Sequence, residues 1–169
     1  MKKIIIISIF ILGMILPSID VKAVDVSNEE ELRNAIEQGG DITLTKDIEI
    51  TQPLVIDKDV NISGYRDILM QGDNTLMTVN SGNVTLNNVS LYAGWNGNYD
   101  EYDNPDTVVS GQGKALVVNG GNLTITTSNS NLYAGNIVLQ LNGGTVTGAA
   151  RIYAGEIKKM REFGIIKEV

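Results

Sequence analysis

Histidine and cysteine are both missing from this chain of 169 residues. Without histidine there is no imidazole base, no His-dependent triad and none of the commonest metal ligand. Without cysteine there is no disulfide, no thiolate site, no thiol nucleophile and no lipid-modified cysteine. Aromatic residues are scarce, with one Trp, two Phe and six Tyr, so any core must be aliphatic. Positive charge is also in deficit: 13 Lys and Arg stand against 20 Asp and Glu, a net charge of −7. Such a balance disfavours nucleic acid and anionic lipid, and repels a polyanion unless a cation bridges the two.

What the chain does have is an internal repeat. LMTVNSGNVTLNNVSLYAG (76–94) returns as ALVVNGGNLTITTSNSNLYAG (115–135) and as VLQLNGGTVTGAARIYAG (138–155). Each copy runs from an apolar strand into Asn, then Gly, then Val or Leu with Thr, and ends in Tyr-Ala-Gly. The repeated Asn residues are Asn80, Asn119 and Asn142, spaced 39 and 23 apart, and a unit of 20 to 23 residues fits both spacings. A period in that range marks a stack of units, each covering the apolar face of its neighbour. Short β-rich runs separated by Gly and Asn make it a stack of β-coils. A leucine-rich repeat would need a Leu-x-x-Leu-x-Leu frame, which is absent.

The N-terminus reads as a leader. Lys2-Lys3, the apolar run Ile4 to Leu16, Pro17 and the small-residue site Val21-Lys22-Ala23 form a secretory signal peptide over 1–23. Thirteen apolar residues fall short of the ~20 that a membrane span needs. Cleavage after Ala23 would remove three lysines and one aspartate, taking the net charge from −7 to −9. A secreted protein without disulfides must then be held by packing and backbone pairing. Residues 24–40 read as a short strand and an amphipathic helix, Ser27 to Gln38, opened by a capping box of Ser27 with Glu30 and closed by Gly39-Gly40. At about ten residues the helix is too short to stand alone, so its stripe of Leu32, Ala35 and Ile36 must cover the first coil.

From Asp41 the period shortens to strands: Ile42–Leu44, Ile48–Ile50, Leu54–Ile56, Val60–Ile62 and Ile68–Met70. Residues 41–155 are expected to form the stack, interrupted by a polar insertion, 95–113, that is either a projecting loop or a disguised rung. The tail, 156–169, reads as a C-terminal cap or a truncated coil.

The order of elements from Val26 to Gly64, VSNEEELRNAIEQGGDITLTKDIEITQPLVIDKDVNISG, followed by the Gly-Asn-Val-Thr-Leu rungs, resembles the pectate-lyase-like (pectin-lyase-like) domains of secreted and surface proteins of Gram-positive bacteria. The resemblance implies an all-β, right-handed, single-stranded parallel β-helix, a short solenoid of about five coils with an N-terminal capping helix. That group includes polysaccharide lyases, hydrolases and non-catalytic adhesive or carbohydrate-binding domains, so fold alone does not decide activity. Its lyases hold Ca²⁺ on Asp or Glu and use an Arg or Lys base. Neither Arg33, Arg66, Arg151 nor Arg161 sits in such a motif here.

The insertion holds the densest set of candidate ligands. Asp100, Asp103 and Asp106, with Glu101 and the asparagines 96, 98 and 104, offer hard oxygen donors suited to Ca²⁺, although not in an EF-hand frame; the bland alternative is a solvated acidic loop. Trp95, Tyr99 and Tyr102 present flat rings beside carboxylates and amides, which is either a sugar platform or a lid on the stack. Tyr92, Tyr133 and Tyr153 recur at one place in the repeat and should form a ladder along one face. Asn61, Asn83, Asn88 and Asn122 match the glycosylation sequon, but as turn residues they are expected to pair from coil to coil.

The leading expectation is a secreted, non-catalytic extracellular or cell-surface module that binds a polysaccharide or a cell-wall or host polymer. It would have no nucleic-acid partner and no transmembrane segment after leader cleavage. The alternative is a lyase or hydrolase, complete or truncated, acting on uronate-containing glycans.

Overall fold

Runs of Ile, Val and Leu at alternate positions, each closed by Asp, Asn or Gly, fold as short strands whose turns send the chain across the molecule rather than back alongside. The computed structural model describes residues 22–97, 109–126 and 129–154. Residues 1–21, 98–108, 127–128 and 155–169 lie outside them, and with them most of the expected leader, most of the insertion and the tail. The elements are β1 (Val24–Val26), α1 (Glu29–Gln38), β2 (Gly40–Leu44), β3 (Ile48–Ile50), β4 (Leu54–Ile56), β5 (Val60–Met70), β6 (Thr75–Val79), β7 (Asn83–Ala93), β8 (Lys114–Val118), β9 (Asn122–Ile125), β10 (Asn131–Ala134), β11 (Ile137–Leu141), β12 (Thr145–Gly148) and β13 (Arg151–Ala154). The described residues are all-β apart from α1, and the named strands pair in parallel.

Two sheets result. β4, β6, β8 and β11 make one of four strands, and the other nine strands make the second. The chain visits them in a fixed order: β2 and β3 in the large sheet, β4 in the small one, then β5 and β6, β7 and β8, β9 with β10 and then β11, and finally β12 and β13. Direct register partners are 23 residues apart for Leu54 and Met77 but 39 apart for Met77 and Leu116. Asn83 likewise lies directly beside Asn122. No rung is therefore hidden in the insertion, and its residues are additional to a unit of 20 to 24.

Inward side chains of both sheets meet in one aliphatic core that includes Ile42, Ile62, Leu86, Leu116 and Leu123. Each such side chain, fully buried, contributes roughly 1.5–3 kcal/mol of transfer free energy. Leu32, Ala35 and Ile36 of α1 join that core, so the helix covers its first layer as its apolar stripe predicts. The cap is one residue later than the sequence pattern suggests. Asn28, not Ser27, is the N-cap, with extended backbone and its side-chain oxygen accepting the Glu31 amide at 3.0 Å. The reciprocal carboxylate is that of Glu31, which takes the Ser27 amide at 2.7 Å, and Glu30 has no part in the box. Both residues are good caps, and here it is Asn28 that has the extended backbone and the side-chain bond to the first turn.

The stretches Val60–Ile62 and Ile68–Met70, expected as separate strands, belong to one bent strand. β5 pairs through Asn61 and Ile62 with β2 and through Ile68 to Met70 with β3. The bend falls at Gly64-Tyr65, where the register against β7 slips between Ser63 and Arg66. β7 bends at the same level through Asn88 alone, which has φ 56°. The large sheet thus has two arms, which β5 and β7 join by a bend inside the strand and the other coils by short breaks such as 45–47 and 149–150.

The Asn-x-Gly turns explain themselves by stacking. Asn119 donates its side-chain amide to Asn80 Oδ1 at 2.9 Å, and Asn142 donates to Asn119 Oδ1 at 2.8 Å. A parallel ladder runs from Asn122 to Asn83 at 2.9 Å and on to Asp59, whose carboxylate accepts at the lower end. Gly82, Gly121 and Gly144 follow at positive φ, and a Cβ on Gly121 would stand 2.4 Å from the Gly82 carbonyl oxygen.

Candidate functional site

On the side away from the core, the second arm of the large sheet turns alternate residues of β3, β5, β7, β10 and β13 outward, and the repeat brings like residues into columns. One column is apolar and aromatic. Leu69 lies beside Tyr92, Tyr92 beside Tyr133 and Tyr133 beside Tyr153. The Tyr92 and Tyr133 rings stack with centroids 4.3 Å apart and planes 10° from parallel, and Tyr133 and Tyr153 do so at 4.7 Å and 9°. These spacings match the ~4.8 Å between neighbouring strands, so the expected tyrosine ladder is set directly by the parallel register. Tyr133 is buried even though it points away from the main core.

The insertion is rooted on this column. Trp95 forms an antiparallel bridge with Val109, and Ser110 donates its amide to the Gly94 carbonyl at 2.8 Å. The Trp95 ring tilts against Tyr92 with centroids 6.1 Å apart, and Val109 is buried in the same outer cluster as Leu69, Tyr92 and Tyr133. The far side is clasped by Asp73, whose carboxylate accepts the Gln112 amide at 2.6 Å. Trp95 is half-buried, so it anchors the insertion and keeps part of its ring at the surface. Tyr99, Tyr102, Asp100, Asp103 and Asp106 lie outside the described residues. Among the described residues no three acidic side chains converge.

Beside the aromatic column runs a polar one. Asp67 stands next to Ser90, Asn131 donates its backbone amide to Ser90 Oγ at 3.2 Å, and Arg151 follows next to Asn131. Where this column meets the bend between the two arms, a groove of about 260 Å³ opens, lined by Tyr65, Arg66, Asp67, Asn88, Ser90, Tyr92, Asn129 and Asn131. Tyr65 is 72% exposed, the most exposed of the large apolar or aromatic side chains among the described residues. Asn131 carries a buried side-chain oxygen with no hydrogen-bond donor.

Tyr65 and Arg66 do not stand out in the sequence as ligands. Their only signal there is a Gly-Tyr inside the polar stretch Ser63 to Asp67, between the apolar runs that end at Ile62 and resume at Ile68. On the small sheet, the outward row Val55, Thr78, Val117 and Gln140 contains neither a carboxylate nor a cation.

No helix among the described residues is long and apolar enough to cross a membrane. No family model, curated protein or solved structure matches this chain.

Proposed function

We propose that this chain is an exported, non-catalytic binding module that recognises carbohydrate through the outer face of its large sheet. In this reading the two parallel sheets close into a short right-handed β-helix of about five coils, of the pectate-lyase-like kind, since parallel crossovers are right-handed in nearly all cases. The single observation that carries the function is the pairing of columns on that face. Trp95 and Tyr153, each part-exposed and seated on the buried pair Tyr92 and Tyr133, border a row of hydroxyl, amide and charged groups. Sugars are met by that combination, because aromatic faces cover C–H surfaces while polar neighbours pair with hydroxyls. The insertion is rooted on the same face at Trp95 and Val109; in this reading Trp95, Tyr99 and Tyr102 are its sugar contacts, and Asp100, Asp103 and Asp106 are where Ca²⁺ would bind.

The test is to incubate the purified protein with soluble and insoluble polysaccharides, with Ca²⁺ and with chelator. Depletion of the protein and new reducing or unsaturated chain ends are both recorded. Depletion without new ends is the expected result. New ends would overturn the non-catalytic reading in favour of a lyase or hydrolase, and no depletion from any polysaccharide would overturn the binding reading itself.

A further inference from the structure

We infer that the groove at the bend of the large sheet is a subsite for an uncharged sugar ring, with Tyr65 as the stacking face and Arg66 and Asp67 as partners of neighbouring hydroxyls. The inference rests on the carbohydrate reading above and adds a place and a ligand class to it.

Backbone geometry is the first ground. At the level of the bend, β7 turns with one residue, Asn88, in the left-handed region that asparagine tolerates. β5 makes the same turn with two, Gly64 and Tyr65, and its register against β7 slips there. Gly64 is obligatory, because a Cβ would lie 2.3 Å from the Leu44 carbonyl oxygen. Tyr65 then takes φ 52°, a conformation in which a bulky side chain is strained. A bulge of this kind re-aims a side chain, and here it turns the phenol ring outward, 72% exposed, at the mouth of the groove. Asparagine at residue 65 would relieve the strain, as Asn88 does one strand on. The chain instead keeps an aromatic ring in solvent at a backbone cost, and strain of this sort marks ligand sites.

Chemistry is the second ground. Arg66 is exposed and forms no ion pair with another described residue. Asp67 follows it in the lining, and the remainder is amide or hydroxyl: Asn88, Ser90, Asn129 and Asn131. One cation and one anion leave the groove without net charge, while Asp47, whose carboxylate accepts the Asp67 amide at 3.1 Å, adds negative charge beside it. A polyanion gains nothing there. A polyol does, because adjacent hydroxyls act as both donor and acceptor, and guanidinium, carboxylate and amides answer both roles. At about 260 Å³ the groove has room for one ring of a longer chain rather than a fully enclosed ligand.

The test measures binding of neutral gluco-, xylo-, manno- and N-acetylglucosamine tetrasaccharides by calorimetry, with polygalacturonate as the polyanionic comparator. The proteins compared are the parent, Tyr65→Asn, Arg66→Gln and Trp95→Ala. Tyr65→Asn removes the ring while suiting the left-handed backbone, so its thermal midpoint should equal or exceed the parent's. The expected result is binding of at least one neutral tetrasaccharide, weakened tenfold or more by Tyr65→Asn and by Arg66→Gln. If Trp95→Ala abolishes binding while Tyr65→Asn leaves it unchanged, the groove assignment is overturned and the carbohydrate reading survives. A preference for polygalacturonate overturns the neutral class. Binding to none of these ligands overturns the inference and the reading it rests on.

Discussion

Tyr133 lies flat on Tyr92, with centroids 4.3 Å apart and planes 10° from parallel, one strand further along the outside of the large sheet. The pair is buried although both rings point away from the main core. It forms the floor of a second, smaller apolar cluster whose other wall is the root of the insertion, Trp95 and Val109.

Tyr133→Ala should therefore destabilise the protein by about 3–4 kcal/mol, as loss of a buried aromatic does. It should also loosen the insertion before the rest of the chain unfolds. Urea denaturation gives the first effect, and limited proteolysis, with cleavage moving into 98–108, gives the second. Unchanged proteolysis would mean that the insertion is held independently of the tyrosine column.

Asn119 both donates to Asn80 and accepts from Asn142. Asn119→Asp places an acceptor against the Asn80 oxygen and should cost about 1–2 kcal/mol at neutral pH. Protonating the new carboxyl restores a donor, so its pKa in the folded state would be raised above the unfolded value. The stability it restores is present at low pH and lost as pH rises through that folded pKa. The deficit relative to the parent should accordingly shrink on acidification, as read from paired thermal melts.

Acid should weaken the helix that covers the first coil. Burial raises the pKa of Glu29, but hydrogen bonds from Arg33 and Thr51, together with the Arg33 charge, outweigh it and leave the carboxyl below its ordinary value of 4.5. Hydrogen bonds from the Ser27 amide and hydroxyl do the same for Glu31. A depressed folded-state pKa gives stability that is present above the unfolded value and lost as pH falls through the folded one. The loss should begin near pH 4.5 and continue below it. Glu29→Gln should flatten that limb of the stability profile, and an unaltered limb would assign the acid sensitivity elsewhere.

Gly121→Ala should be costly despite adding a single methyl group. The residue has φ 74°, and its Cβ would meet the Gly82 carbonyl oxygen at 2.4 Å, a backbone atom that cannot move aside. About 2–3 kcal/mol is expected from strain and clash together. Gly97→Ala meets no atom within 4 Å and has φ 89°. It should show the conformational part alone, so the difference between the two melting shifts isolates the close approach between strands.

The repeat was readable because stacking imposes it: a residue that pairs with its own kind one coil away, as Asn80, Asn119 and Asn142 do, must recur at the coil length. The helix was readable for a similar reason, since Leu32, Ala35 and Ile36 share one face of any helix drawn through them. Its cap was less so, because Ser27 and Asn28 are both competent. The bent strands β5 and β7 were not readable, since nothing local tells a bend inside a strand from a turn between two.

For the candidate site the division is sharper. Tyr92, Tyr133 and Tyr153 could be placed in one column from their shared place in Tyr-Ala-Gly, because parallel register preserves sequence position. That the column is buried under Trp95 and Val109, and that Tyr65 is turned outward on a bulge, depends on residues far apart in the chain. Sequence alone determined the coil length and which repeat residues share a column, since those follow from periodicity and side-chain type. Only the tertiary structure decided which stacked faces are covered and which are open, because exposure depends on what the chain lays over a residue from elsewhere.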